Sequence, residues 1–309
     1  MSLSHADPAC PACGGSGQLV HDPWRAVPQR VDTCRCVLDA QRAERAEGLL
    51  GEIGLPGDYA AAEIDALHER DGAGTVKVLD RDRGMLVDRD QGDVDRDMKA
   101  RLRALASRPL DPGASVILTG PPGSGKTYAA AALLREQVRR FGATARYLKA
   151  YEYVTAMQPD AVTPEDRRAL RAMVRTVGVL LLDDIGVEKG SAATMRELWD
   201  VIDTRTKAGL PTVFTSNRSL AAVLGQTRER IAVRERLSPA EREADEIGER
   251  IASRLKESRF VLEWPDGMRD YRGEIHRTRE SAAKHAFAAS RAERIRRHQA
   301  ELDDTPEAA

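Results

Sequence analysis

Aromatic residues are scarce in this chain, and several features that define particular protein classes are missing. Phe, Trp and Tyr make up 4% of the 309 residues, so a hydrophobic core must be built from Leu, Val, Ile and Ala. Apolar runs such as Val177–Leu182 are far shorter than the roughly 20 residues that cross a bilayer. The amino terminus also lacks the basic and then apolar layout of a secretory signal peptide. We therefore expect a cytoplasmic protein with no membrane partner.

An excess of charge of one sign is also absent. The 48 basic and 49 acidic residues leave a formal net charge of -1. The field of the whole molecule therefore does not attract nucleic acid, and any such contact must come from local basic patches. Cysteine is equally restricted, because all four cysteines fall within the first 40 residues. Function must accordingly be inferred from individual motifs.

The chain is long enough for one mid-sized α/β domain with a small appendage. Composition divides it into a cysteine module at 1–40, a helical and charged linker at 41–110, a core at 111–272 and a helical tail at 273–309. Within the linker, residues 41–54 predict a helix that stops at a cluster of Gly and Pro. The alternating charges of 80–97 predict a solvated loop, and their spacing does not match a calcium-binding loop.

From about Asp111 onward, short apolar runs alternate with amphipathic stretches. The apolar runs predict strands at 115–119, 145–150, 177–184 and 211–217, and the amphipathic stretches predict helices at 128–142 and 195–209. The run at 177–184 is almost entirely apolar, as a strand covered on both faces requires. Strands that alternate with helices in this way predict an α/β fold with a doubly wound parallel sheet.

The first of these strands runs into a phosphate-binding motif. It consists of Gly120, Pro121, Pro122, Gly123, Ser124, Gly125, Lys126 and Thr127, and it fits G-x-x-x-x-G-K-[ST] with a strand before it and a helix after it. The glycines let backbone N–H groups face a phosphate, and the helix adds its positive dipole end. Lys126 then reaches the β- and γ-phosphates of ATP, and Thr127 ligates Mg²⁺. The alternative, a chance Gly-rich turn, does not explain both flanking elements.

Polar residues end the next two predicted strands. Asp183 and Asp184 follow the apolar run, and Asn217 follows VFTS. Ligands bind at the carboxyl ends of strands in open α/β sheets, so we assign Asp183 to Mg²⁺ and Asp184 to orienting or deprotonating the attacking water. The Asn217 amide can hydrogen-bond the γ-phosphate and that water. Two acids that merely cap a strand, and an Asn that merely starts a turn, are the simpler readings.

The four cysteines predict a zinc-binding module. Cys10, Cys13, Cys34 and Cys36 form C-x₂-C-x₂₀-C-x-C, and two close pairs can supply four thiolates to a tetrahedral Zn²⁺. Because the C-x-C half is unusual, His21 or His5 remains an alternative for one thiolate. Free buried cysteines are the reading without a metal.

The joint order of GPPGSGKT, LLLDDIG, IDTRTKAGLPTVFTSN, GERIASRL and DYR resembles the DnaC-like helicase loaders, and IstB-type transposition helpers share the same ATPase core. The resemblance covers roughly Gly54 to Arg272. It implies an AAA+ P-loop NTPase, preceded here by a small zinc-binding module, whose subunits assemble side by side and complete each other's active sites. Most AAA+ ATPases have glutamate where this chain has Asp184, which implies slow turnover.

The resemblance also implies roles for three arginines. Arg254 matches the arginine finger that reaches a neighbour's γ-phosphate, Arg250 lies one helical turn before it, and Arg272 matches the sensor 2 arginine. Because the chain contains many arginines, each of these three is also compatible with an ordinary surface position that has no role in the site. The connection at 218–247 is longer than usual in the family. Its length indicates either an extra helical hairpin that binds a partner or an insertion without a function.

Three functions are compatible with these motifs. The first is a loader, active as an ATP-dependent homo-oligomer, that binds the replicative DNA helicase through the zinc module and places it on single-stranded DNA. The second is a transposition helper that engages duplex DNA and a transposase, against which the N-terminal cysteine module argues. The third is a zinc adaptor in which the nucleotide is structural.

Overall fold

The computed structural model describes residues 5–21, 30–80, 82–185, 192–218, 238–256 and 260–272. The helical tail predicted at 273–309 and most of the connection at 218–247, predicted to be a hairpin or an insertion, lie outside the described residues. No helix among the described ranges is long and apolar enough to cross a membrane.

The described part of the chain from the amino terminus to the end of the helix that follows the phosphate loop forms two antiparallel hairpins, three helices and one further strand. Strands β1 (Gln18–His21) and β2 (Arg30–Thr33) pair with each other and lead into α1 (Arg35–Glu52). Strands β3 (Thr75–Asp80) and β4 (Met85–Asp90) form a second hairpin that leads into α2 (Gln91–Ala106). Strand β5 (Ser115–Thr119) then runs into the phosphate loop and α3 (Lys126–Phe141).

The remaining elements complete an α/β domain. They are β6 (Ala145–Lys149), α4 (Ala150–Ala156), α5 (Pro164–Thr176), β7 (Val179–Asp183), α6 (Ala192–Lys207), β8 (Thr212–Ser216), α7 (Pro239–Lys256) and β9 (Phe260–Glu263). Five strands form one sheet in the order β6-β7-β8-β5-β9, and all of its neighbouring pairs are parallel. The predicted fold class, the parallel α/β sheet of AAA+ P-loop NTPases, is confirmed, with β9 as a strand that the sequence did not indicate.

Successive side chains of the central strands enter two separate cores. In β5, Val116 and Leu118 pack with α1, α2 and α3 on one face, while Ile117 packs with α4 to α7 on the other. In β8, Val213 and Phe214 divide in the same way. A strand whose alternate residues face opposite sides must be apolar throughout when both sides are covered. The doubly wound arrangement predicted from the apolar runs is therefore confirmed.

The prediction of a loop at 80–97 is wrong. Most of that stretch forms β4 and the first half of α2. The acidic and basic side chains of the hairpin pair across its strands, as Lys77 does with Asp88 at 3.1 Å, so charge does not prevent pairing there. Helix α2 buries Val94, Met98 and Leu102 on the core, and the Asp90 carboxylate caps it by accepting a hydrogen bond from the Gly92 N–H. The predicted helix at 41–54 begins earlier, at Arg35.

Candidate nucleotide and metal sites

The phosphate loop joins the end of β5 to the start of α3. Gly123 and Gly125 have φ values of 74° and 97°, which residues with a Cβ adopt only with strain. Gly125 is also the N-cap residue of α3 and has no side chain that could cap the first turn. The N–H groups of that turn, together with the positive end of the helix dipole, are therefore directed at an anion in this loop.

Lys126 is folded back onto the loop. Its Nζ donates hydrogen bonds to the Pro121 carbonyl at 2.8 Å and to Ser124 Oγ at 3.3 Å, and the residue is 5% exposed. Burial lowers the pKa of Lys126 to about 8, although the nearby charge of Asp184 favours the ammonium form. The same ammonium group can exchange these loop oxygens for phosphate oxygens when a nucleotide binds.

Asp183 ends β7 directly beside the phosphate loop. Its Oδ1 accepts a hydrogen bond from Thr127 Oγ1 at 2.8 Å and another from the Thr215 hydroxyl, while its Oδ2 accepts from the Tyr147 hydroxyl at 2.9 Å. The Thr127 hydroxyl and the Asp183 carboxylate are oxygen ligands of the kind that Mg²⁺ prefers. The two residues assigned to Mg²⁺ from the sequence therefore lie in contact and fit that ion.

Asp184 and Asn217 are also brought together. The Asn217 Nδ2 donates to Asp184 Oδ1 at 2.6 Å, and the Asp184 backbone N–H donates to Thr215 Oγ1 at 2.8 Å. Asp184 has a φ of 60°, the only positive φ among the described residues other than glycine, and such strain is concentrated at functional sites. Burial and then the negative charge of Asp183 raise the pKa of Asp184. A carboxylate of this kind can accept a proton from water that a neighbouring amide orients.

The three arginines occupy different positions. Arg272 lies beside the phosphate loop of its own chain, because the neighbouring Tyr271 N–H donates to the Gly123 carbonyl at 3.4 Å. Arg254, on α7, donates to Asp203 Oδ1 on α6 at 3.0 Å, and its guanidinium lies 5.8 Å from the centre of the Trp199 ring. Arg250 is exposed one turn earlier. These contacts of Arg254 are with α6 and not with the phosphate loop of its own chain.

Two hydroxyl groups of the site were not predicted from the sequence. Tyr147 of β6 and Thr215 of β8 are 6% and 1% exposed, and both donate to Asp183. Thr215 also receives the Asp184 N–H, so it connects the two acidic residues. The available signal was a hydroxyl-bearing residue inside each buried strand that neighbours β7.

The four cysteines form a compact cluster of sulfur atoms. All four Sγ atoms lie within 4.8 Å of one another, with Cys10 and Cys34 at 3.8 Å and Cys13 and Cys36 at 3.7 Å. A regular tetrahedron of sulfurs about 2.3 Å from a central Zn²⁺ has edges of about 3.8 Å, so these distances fit that ion. Gly14 and Gly15 have φ values of 57° and 83°, so the chain turns tightly directly after the first cysteine pair.

His5 and His21 were the alternatives for one of the zinc ligands. His5 is not part of the cluster, since its Nε2 lies 3.4 Å from the Glu44 carboxylate. The side chain of His21 lies outside the described residues. Cys34 is the N-cap of α1 and Cys36 belongs to its first turn, so the second half of the cluster is attached to a helix of the main body.

Known proteins match the chain over most of the nucleotide site. Residues 88–237 match the family described as IstB-like ATP binding protein, a range that includes the phosphate loop, Asp183, Asp184 and Asn217. A protein of Mycobacterium tuberculosis, named as an ATP-binding protein in an insertion sequence, is 31% identical over 187 residues, or 59% of this chain and 72% of that protein.

Solved structures with a similar chain trace were also found. The crystal structure of the DnaC helicase loader has 19% sequence identity and a TM-score of 0.47, over 67% of this chain and 99% of its own. The crystal structure of DnaI has 18% identity and a TM-score of 0.47, over 68% of this chain and 95% of its own.

Proposed function

The chain belongs to the family of IstB-like ATP-binding proteins, and we propose that within this family it is a loader that places the replicative DNA helicase on single-stranded DNA. ATP serves as the switch between gripping and releasing the helicase, and the protein acts in the cytoplasm.

The contact between Asp184 and Asn217 is the observation that supports nucleotide turnover. A protein that only held a structural nucleotide would need the phosphate loop but would have no use for a strained acidic residue bonded to an amide at the γ-phosphate end. Mg²⁺, held by Thr127 and Asp183, would neutralise charge on the phosphates. Asp184 then takes the proton of the attacking water, and Asn217 orients that water.

We assign Arg254 to the active site of a neighbouring copy of the chain. Arg272 serves the phosphates of its own chain, because it lies beside its own phosphate loop. Arg254 instead contacts α6 of its own chain, and Arg250 is exposed one turn earlier on the same helix. This position favours an ATP-dependent homo-oligomer in which turnover depends on assembly.

The cysteine module is suited to gripping a protein partner. It stands at the start of α1, whose last turns place Leu49 and Leu50 against the core that also holds α3 of the phosphate loop. A partner bound to the module is therefore attached to the ATPase domain through one continuous helix. This attachment supports the loader role, in which the helicase is bound at the amino terminus.

A transposition helper is the second candidate, and the Mycobacterium tuberculosis relative favours it. That protein is named as belonging to an insertion sequence, and it matches this chain over 72% of its own length. Such a function would use the same ATP site, but it would leave the sulfur cluster without a role.

Recovery of partners from a host lysate separates the two candidates. We expect the tagged full-length chain to recover the replicative helicase in a nucleotide-dependent manner, and the double variant Cys10→Ser, Cys13→Ser to lose it while still binding ATP. Lys126→Ala is the matched variant with an intact module and a disabled ATP site. Recovery of a transposase instead, unaffected by the cysteine changes, would favour the transposition helper.

Zinc content is measured on the same preparations. We expect about one zinc per chain in the parent, as four converging thiolates require, and none in the double cysteine variant. A parent that is folded at its amino terminus but free of metal would contradict the zinc assignment.

Mixing two inactive variants tests whether Arg254 acts on a neighbour. Arg254→Ala is expected to lose most hydrolysis, since a finger supplied by a neighbour contributes roughly 10³–10⁵-fold. Adding Lys126→Ala chains, which have an intact Arg254 but a disabled site, should restore part of the rate. The double variant Lys126→Ala, Arg254→Ala is the control that cannot restore it.

The unsubstituted protein itself tests the third candidate function. If it does not hydrolyse ATP at all, the result would favour a zinc adaptor in which the nucleotide is structural.

A further inference from the structure

Arg70 is a buried arginine that bonds directly to the phosphate loop. It is 3% exposed, and each nitrogen of its guanidinium has its own acceptor in a different part of the chain. The NH2 nitrogen donates to the Gly123 carbonyl at 3.0 Å, Nε donates to the Arg269 carbonyl at 2.9 Å, and the NH1 nitrogen donates to Asp95 Oδ1 at 2.6 Å. One side chain thus connects the phosphate loop, the segment after β9 and helix α2.

Asp95 closes this network from the other side. It is 6% exposed, and its Oδ2 accepts the Arg70 backbone N–H at 3.0 Å, while its Oδ1 accepts the Trp264 indole N–H at 3.2 Å. Trp264 in turn packs on the first glycine of the phosphate loop, where a Cβ at Gly120 would lie 2.7 Å from the Trp264 Cβ. The Arg70–Asp95 pair therefore contacts the loop at Gly123 directly and at Gly120 through Trp264.

Arg70 also contacts the segment that carries Arg272. The guanidinium of Arg70 lies 5.1 Å from the centre of the Tyr271 ring, and the Tyr271 N–H donates to the Gly123 carbonyl that Arg70 also bonds. A Cβ at Gly123 would collide with the Asp270 carboxylate, which shows how closely residues 270–272 approach the loop. Movement of this segment away from the loop would require Arg70 to give up its bonds to one of them.

Stability alone is a weak reason for such a pair. Replacing a buried ion pair by apolar residues of similar size is often neutral or stabilising, because both charges lose their hydration on folding. What the pair does provide is a fixed set of hydrogen bonds between the phosphate loop, helix α2 and the segment after β9.

We propose that Arg70 is a positioning residue of the nucleotide site, which fixes the phosphate loop and the segment carrying Arg272 in one arrangement. ATP then meets Lys126 and Arg272 already in place and does not have to order them. The proposal rests on ATP binding and not on the loader role, so it is tested on the purified protein without a helicase.

Nucleotide affinity of the full-length chain is the measurement, with a fluorescent ATP analogue and then ATP and ADP as competitors. Arg70→Met, of similar length but uncharged, is expected to weaken ATP binding about 10- to 30-fold, the effect of losing charge-assisted bonds that order the site. Arg70→Lys keeps the charge but cannot reach three acceptors, and we expect partial recovery. Arg272→Ala combined with Arg70→Met should weaken binding by less than the product of the single effects.

Arg96→Met is the matched control. Arg96 adjoins Asp95 on α2 and pairs with Glu69 and Asp71, the two neighbours of Arg70, at 3.4 Å and 2.5 Å, but it is exposed and does not contact the phosphate loop. A change in affinity that came only from loosening residues 69–71 would appear in this variant too.

Three results would overturn the proposal. They are ATP affinity within twofold of the parent for Arg70→Met at temperatures well below its Tm, an equal loss of affinity for Arg96→Met, and independent effects of the Arg70 and Arg272 variants. If Arg70→Met does not fold, the same comparison is made with Arg70→Lys and Asp95→Asn, whose unchanged affinity would overturn it equally.

Discussion

The two ends of the parallel sheet each bury an arginine, and the two side chains are bonded in different ways. At the amino ends of β7 and β8, Arg205 of α6 is fully buried, and every acceptor that it has in the described part of the chain is a neutral oxygen. These acceptors are the Val174, Val177, Gly178 and Pro211 carbonyls and the Thr212 hydroxyl. At the carboxyl ends, beyond β5 and β9, Arg70 pairs with a carboxylate and contacts the phosphate loop.

The difference separates a structural use of charge from a functional one. Burial lowers the pKa of Arg205 to about 10, so the guanidinium stays charged at neutral pH. Its hydrogen bonds join α5, α6 and the start of β8 at a distance from the nucleotide site. At the other end, Lys126, the uncapped start of α3 and the strained Asp184 are groups whose interactions a ligand would complete. Changes at the carboxyl end should therefore alter binding and rate, and changes at the amino end should alter stability.

Among the changes that compare the two ends of the sheet, Asp184→Asn at the carboxyl end is expected to have the largest effect. Hydrolysis should fall by about 10²–10⁴-fold, the usual contribution of a general base, while ATP affinity changes little because the phosphate loop is intact. Single-turnover hydrolysis and equilibrium binding measure the two quantities. Asp65→Asn, an exposed acidic residue at 78% side-chain exposure, is the control. Retained hydrolysis in Asp184→Asn would remove Asp184 from the chemical step.

Arg205→Met should show the opposite pattern at the amino end. The four carbonyls that lose this buried donor cost about 1–3 kcal/mol each, and part of this cost is offset because Met, unlike Arg205, buries no charge. We therefore expect the free energy of unfolding to fall by about 2–4 kcal/mol. ATP affinity of the folded variant should equal that of the parent. Denaturant unfolding and nucleotide titration at low temperature check both. A loss of affinity without a loss of stability would contradict the division between the two ends.

The pH dependence of ATP binding tests the carboxyl end again, with a smaller effect. The free protein loses the Lys126 proton near pH 8, whereas bound phosphate favours the ammonium form. Affinity should therefore fall as pH rises above 8, by at most about tenfold per pH unit. An unfolded lysine titrates near 10.4, so between pH 8 and that value the unfolded chain binds more protons, and the same group makes the nucleotide-free fold more stable as pH rises.

Lys126→Arg is the control for that pH dependence. A guanidinium remains protonated throughout this range, so the decline in affinity should flatten in the variant even if its absolute affinity is lower. An unchanged decline would assign the titration to another group.

The sequence predicts the parts of the site that are local motifs or are brought together by strand topology, and it does not predict contacts that depend on tertiary packing. The phosphate loop and the acidic strand end are local signals, and the carboxyl ends of parallel strands meet by topology, which is why Lys126, Asp183 and Asn217 could be assigned together. Arg70 and Asp95 lie 25 residues apart, Asp95 in a stretch of alternating charges, and only tertiary packing selects which charges are buried. The same holds for Arg205, which local pattern does not distinguish from the other arginines.

The smallest effect is expected for Arg103→Ala, which tests whether burial is what gives Arg70 and Arg205 their importance. Arg103 pairs with Asp65 through two nitrogens, at 2.8 Å and 2.6 Å, but the two side chains are 57% and 78% exposed. Exposed pairs contribute about 0.2–1 kcal/mol, since water solvates both charges when the pair is broken. The free energy of unfolding should fall by no more than about 1 kcal/mol, and ATP affinity should not change. A loss comparable to Arg205→Met would mean that ion pairing itself, and not the burial of unsatisfied acceptors, sets the stability of this domain.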